Sequence, residues 1–274
     1  MENTKQNGLI KVLVGLSFMV MITINALANA LPIGGLNTGE VSDSFPNLFA
    51  PQGLTFSIWG LIYLLVLGFV LFHIGLFRQA YDKKEKNQLL DKLGLLFIIS
   101  SLSNASWIFA WHYQIMPLTL LFMLSILICL ILIIQNLYHF HQSSKLNGSE
   151  KFFLRLPFSI YFAWITVATI ANITAFLVRL GWNGWGIEES LWTVIILIVG
   201  ALIGIATMLR FRDIAYALVF VWAYAGIWMK HIKPGPEGFS GLYPGVINTS
   251  LVCIIVFLLV VVYLLIQRAR SHQS

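Results

Sequence analysis

MPLTLLFMLSILICLILIIQNLY, residues 116–138, holds no Asp, Glu, Lys or Arg in 23 positions. As a helix rising ~1.5 Å per residue it is about 34 Å long, enough to cross a hydrocarbon core of about 30 Å. Seven more apolar segments of similar length flank it, at about 10–31, 52–77, 89–111, 152–179, 190–209, 211–229 and 245–267. Together they predict an all-α fold, a polytopic integral membrane bundle of about eight transmembrane helices. Composition agrees: 58% of the 274 residues are hydrophobic and 10% charged, where a soluble domain has about 25% charged. The longest stretches between spans are roughly 10–20 residues, too short to bury a core. Any binding site must therefore sit among the helices or under their loops.

The formal charge of +6 is distributed by side of the membrane rather than gathered on a nucleic-acid-binding face. Lys5, Lys11, Arg78, Lys83, Lys84, Lys86, Lys92, Lys145, Lys151, Arg155, Arg210, Arg212, Arg268 and Arg270 fall at one set of span ends, and Arg179, Lys230 and Lys233 at the other. This split of 14 against 3 places both termini in the cytoplasm of a multi-pass cell-membrane protein. Membrane lipid is then one partner and nucleic acid is not. Lys5, Lys11 and the string Ala26-Leu27-Ala28-Asn29-Ala30 also imitate a cleavable signal peptide. The apolar run exceeds the about 7–15 residues of such a segment, which favours a retained first span. Cys129 and Cys253 lie inside spans without metal-ligand spacing.

Every Asp and Glu lies in a loop or at a span end, so the spans contain no carboxylate relay. No catalytic triad, metal set or phosphate-cradling motif can be placed. The expectation is a protein with no catalytic residues, no metal and no cofactor, which binds rather than transforms its ligand. His73 and His139, near span ends, allow a rival reading as haem ligands.

Tryptophan and asparagine carry the functional signal. Anchoring belts would place indoles at both interfaces, but Trp59 lies ~10 Å inside its span, and Trp107, Trp164 and Trp222 are also deeper than a belt requires. Amides accompany them: Asn25 and Asn29 one turn apart, Asn104 three residues before Trp107, and Asn172 eight after Trp164. Each could be interhelical glue. With the deep indoles, they suggest an apolar pocket with a few orienting groups. The connection from 32 to 51, rich in Gly, Asn and Ser, is either a lid or a solvated connector.

Residues 51–63, PQGLTFSIWGLIY, resemble the start of the second helix of the translocator proteins, also called tryptophan-rich sensory proteins or peripheral-type benzodiazepine receptors. Asn104-Ala105-Ser106-Trp107 resembles the family's Asn-x-x-Trp, Pro117 opens the fourth span, and Trp164, Ala168 and Asn172 resemble its fifth-helix Trp-x-x-x-Ala-x-x-x-Asn. The chain departs from the pattern where Ala50-Pro51 replaces paired prolines, and where Pro157 and Tyr161 stand at other offsets from Trp164. The resemblance divides the chain into a five-helix translocator-like core, 1–180, and three additional helices, 181–274.

The resemblance also implies a cavity, covered by the loop after the first helix, that binds porphyrins, haem precursors, sterol-like or other aromatic molecules. The candidate ligand-binding residues are Trp59, Tyr63, Asn104, Trp107, Trp164 and Asn172, with Asn25 and Asn29 beside the lid. The competing reading is a secondary transporter in which Trp222 and Tyr224 line a pathway. Pairing with a second copy as a homodimer is compatible with either.

Overall fold

The structure, a computed structural model, describes residues 6–31, 33–77, 84–144 and 146–270. Pro32, Lys5, Arg78, Lys83 and Lys145, used in the sequence reading, lie outside the described residues. Eight long helices fill the predicted segments: α1 Gly8–Ala30, α2 Ile58–Ile74, α3 Lys84–His112, α4 Met116–Ser144, α5 Leu156–Arg179, α6 Glu189–Phe211, α7 Ile214–Ile232 and α8 Pro244–Arg270. No strand occurs among the described residues.

Among the described residues, seven helical spans are long and apolar enough to cross a membrane: α1, α2 with its leading turn Gly53–Ser57, α3, α4, α5 with the turns before it, α6 and α8. The 19-residue α7, which carries Tyr216, Trp222, Tyr224, Trp228, Lys230 and His231, is not one of these seven. Outward faces support the same conclusion. On α1, Leu9, Val12, Leu16 and Met19 are exposed while Ser17 and Asn25 are buried. On α8, Val252, Leu259 and Val262 are exposed while Ser250 is buried. Apolar side chains outside and polar ones inside suit a hydrocarbon surround, not water. The chain is a multi-pass, all-α membrane protein.

Two compact units are interleaved along the sequence: Met1–Val41 with Trp59–Phe162, and Ser42–Ile58 with Ala163–Ser274. The boundary at 180 drawn from the resemblance concerned the extent of a family core, and the compact units cut the chain elsewhere.

In the first unit α3 packs directly on α1 and on α4. Small residues permit this: a β-carbon at Gly94 would lie 2.7 Å from Ile10 Cγ2, and Ser103 Oγ shares a 2.9 Å hydrogen bond with Ser125 Oγ. By contrast, α2 meets its neighbours through rings, with Phe69 edge-on to Phe97 at 5.1 Å and to Phe158 at 4.7 Å. His73, a candidate haem ligand in the rival reading, is buried there, its Nε2 donating to the Leu90 carbonyl at 3.0 Å. Before α5 a π-turn, Lys151–Arg155, closes with Leu156 N–H donating to the Lys151 carbonyl. Proline has no N–H to donate to the i−4 carbonyl and its ring crowds that carbonyl, so the widened turn fits Pro157 just after it.

In the second unit α8 packs on α6 and α7. Gly200 and Gly204 stand one turn apart on α6, and a β-carbon there would lie 2.8 Å from Tyr224 Oη and 2.5 Å from Phe220 Cε1. This small-xxx-small stripe lets rings seat against backbone. Phe257 of α8 then packs edge-on to Phe220 at 5.5 Å and to Tyr224 at 5.0 Å.

Candidate functional site

Four helices of the first unit converge on one polar line. Asn25 of α1 donates through Nδ2 to Asn104 Oδ1 of α3 at 2.7 Å and to the Met21 carbonyl at 2.9 Å. Tyr63 of α2 donates to Asn25 Oδ1 at 2.6 Å, and Asn104 Nδ2 donates to the Tyr161 hydroxyl, on the first turns of α5, at 3.3 Å. An unpaired amide in an apolar bundle costs several kcal/mol, so these side chains hold one another in register. Tyr63→Phe should remove one bond to a buried acceptor and lower stability by ~1 kcal/mol. Thermal unfolding in detergent checks this, and no change would mean that Asn25 finds another donor.

Aromatic rings cover the same line. Trp59 and Tyr63, one turn apart on α2, stack at 5.4 Å with planes 21° apart. Tyr161 meets Trp59 edge-on at 6.0 Å. Thus Trp59, Tyr63, Asn25 and Asn104 form one cluster, with Tyr161 as a fifth member absent from the sequence-based set. Tyr161 had a sequence signal: it is a tyrosine deep in a span, three residues before Trp164.

The other candidates lie elsewhere. Asn29 donates back to the Asn25 carbonyl at 2.9 Å. Trp107 is buried, stacked on Trp111 at 5.4 Å and 18°, and its Nε1 has no hydrogen-bond partner. Trp111 Nε1 donates to the Thr38 carbonyl at 3.2 Å. Beside it His112 Nδ1 donates to the Ile33 carbonyl at 2.9 Å, so the start of the loop after α1 is fastened to the end of α3. Trp164 and Asn172 belong to the second unit, both buried, with Trp164 edge-on to Phe56 at 5.9 Å and 87°.

The rest of that loop is part of the second unit, where α7 carries it as a strap. Trp222 Nε1 donates to the Thr55 carbonyl at 2.9 Å, Gln52 N–H to the Gly226 carbonyl at 3.0 Å, and His231 Nε2 to the Leu48 carbonyl at 2.9 Å. Tyr224 donates to the Leu197 carbonyl at 2.8 Å. The polar atoms of Trp222 and Tyr224, the pathway residues of the transporter reading, are therefore engaged with backbone. Trp182, Trp185 and Trp192 form a separate ring cluster at 5.1–5.5 Å, with Trp185 76% exposed.

No cluster of three or more His, Cys, Asp or Glu that could hold a metal occurs among the described residues. Searches of curated proteins and of solved structures each gave no significant match. A family model described as "TSPO-like protein" matches residues 11–263, running past the stretch that carries the translocator resemblance through α6 and α7 and into α8. With that match covering most of its length and every helix but the ends of two, the chain belongs to the TSPO-like protein family.

Proposed function

We propose that the protein binds a flat, hydrophobic aromatic molecule, of the porphyrin, haem-precursor or sterol-like kind, at the Trp59 cluster, for sensing or transport. The observation that carries this reading is the continuity of the Trp59–Tyr63–Tyr161 rings with the hydrogen-bonded Asn25–Asn104 pair. Indole and phenol faces stack on a planar ligand, and a few amides fix its polar edge. Three residues after Asn104 on α3, though outside the cluster itself, Trp107 has a buried N–H without a partner, and a buried donor gains by finding an acceptor. Because Asn25, Tyr63 and Asn104 bond one another, the ligand must either leave those bonds intact or replace them. The first favours a molecule held mainly by stacking.

Binding involves no chemical step, and both termini face the cytoplasm in this reading. Tryptophan quenching by a porphyrin, titrated into the full-length protein in detergent, should saturate. Sealed vesicles then separate the two roles: flux against a gradient assigns transport, and saturable binding without flux assigns sensing. Non-saturable quenching equal to that of detergent alone would overturn the proposal.

A further inference from the structure

Where α7 ends, the chain folds back through Lys233–Tyr243 on three backbone hydrogen bonds. Phe239 N–H donates to the Lys230 carbonyl at 3.0 Å, Ser240 N–H to that of Lys233 at 3.0 Å and Gly241 N–H to that of His231 at 2.9 Å. A β-carbon at Gly238 would lie 2.1 Å from the Lys233 oxygen, so the turn is closed as far as backbone allows. Opposite stands the strap, residues 42–54, fixed to the same helix through Leu48 and Gln52. Between these two pinned walls lies a pocket of about 630 Å³, within the ~300–1,000 Å³ of small-molecule sites.

Its charges are asymmetric. Lys230 and Lys233 line the pocket with side chains 16% and 34% exposed, whereas their partners Asp43 and Glu237 are 73% and 78% exposed. Lys230 Nζ lies 5.9 Å from the Phe239 ring centroid and 3.5 Å from Asp43 Oδ1; Lys233 Nζ lies 2.5 Å from Glu237 Oε2. The hydrogen bond from Lys233, then its charge, hold the Glu237 carboxyl below its usual range. Asp43 and Glu237 line the pocket too, but in each pair the lysine is the more buried member and the acid the more exposed one. Exposed pairs are weak, so an incoming carboxylate can displace them and return both acids to water. Positive charge is also scarce here, since Lys230 and Lys233 are two of only three basic residues expected on this side of the membrane.

We infer that this pocket is a second ligand site, distinct from the Trp59 cluster, that takes a small organic carboxylate whose ammonium partners are Lys230 and Lys233 and whose apolar body packs on Phe45 and Phe239. Equilibrium dialysis of full-length protein in detergent, against a detergent blank, tests it with 2-naphthoate and the neutral 2-naphthamide as probes. Naphthoate should bind saturably and naphthamide at least about tenfold more weakly. The double variant Lys230→Met, Lys233→Met should lose at least about tenfold in naphthoate affinity. Asp43→Asn and Glu237→Gln, both on exposed side chains, should leave affinity unchanged or raise it by up to about fivefold, because each removes a competing anion. Trp59→Ala should leave naphthoate binding unchanged, which separates this site from the one proposed above. Equal binding of the two probes, insensitivity to the lysine pair, or weaker binding in Asp43→Asn or Glu237→Gln would each overturn the inference.

Discussion

Gly226→Ala should release the strap from α7 and lower stability by ~3 kcal/mol, the upper end of the usual overpacking cost. A β-carbon at this position would lie 2.0 Å from Thr55 Oγ1, 2.7 Å from its Cγ2 and 2.9 Å from its Cβ. All three Thr55 side-chain atoms obstruct it, so no χ1 rotation clears the space and the backbone itself must move. That displacement breaks Gln52 N–H to the Gly226 carbonyl and Trp222 Nε1 to the Thr55 carbonyl. Hydrogen exchange should accelerate at Gln52 and at the Trp222 indole, with a lower unfolding midpoint in detergent. Thr55→Ala in the same chain should restore most of the loss, since only the 2.9 Å contact remains. Unaltered exchange in the single variant would show that the strap is not fastened at this crossing.

The second large effect is expected at Glu150. This carboxylate is 1% exposed, 2.5 Å from Lys86 Nζ, and Lys86 is 18% exposed. Its other oxygen accepts from Asn147 N–H at 2.8 Å, while Asn147 Oδ1 accepts from Glu150 N–H at 2.8 Å, a reciprocal cap on the helical turn before α5. Glu150→Ala removes the ion pair and half the cap together. Breaking a buried pair costs about 3–5 kcal/mol, and the partial exposure of Lys86 places this one at the lower end, ~3 kcal/mol. Glu150→Gln keeps one acceptor oxygen, for either Asn147 N–H or Lys86, turns its amide N–H toward the other donor, and should cost less, ~2 kcal/mol. Thermal unfolding of both variants in detergent checks the difference; equal losses would mean that the charge contributes nothing beyond the hydrogen bonds.

Glu150 also marks a limit of sequence reading. A lone Glu in the polar stretch 139–151 looks like a surface residue, because the lysine that buries it comes from 64 residues away. The spans themselves were legible, since hydrocarbon thickness fixes the length of an apolar run and the runs here are bounded by charge. Even α7, with more Tyr and Trp than its neighbours, was recognisable as a helix of the bundle. Asn25 and Asn104 stood out as amides in apolar surroundings, but that they would bond each other across 79 residues required the helix packing. Tyr161 was visible as a tyrosine deep in a span and as a departure from the family pattern, but its bond to Asn104 required the helix packing. Gly226 carried no signal at all, because a glycine in a span is unremarkable until a particular threonine is seen against it.

The loop after α1 shows the same division between composition and contact. Its Gly, Asn and Ser content marked a connection, and its length raised the question of a lid. What composition could not indicate is the set of carbonyls that fasten its end: those of Leu48 and Thr55, which accept from His231 and Trp222, and that of Gly226, which accepts from Gln52. These bonds use backbone atoms of the strap, which every residue type offers, so no side-chain motif announces them.

The account's central claim is that Trp59 belongs to a ligand site and not only to the packing of α2. Porphyrin titrations of wild type, Trp59→Ala and Trp185→Ala, each confirmed helical, test it most directly. Loss of one aromatic stack is worth ~0.5–1.5 kcal/mol beyond its buried area, so Trp59→Ala should bind at least several-fold more weakly. Trp185, 76% exposed in a loop of the second unit, should be replaceable without effect. Equal, small changes in both folded variants would contradict the claim and leave Trp59, Tyr63 and Tyr161 as a packing cluster.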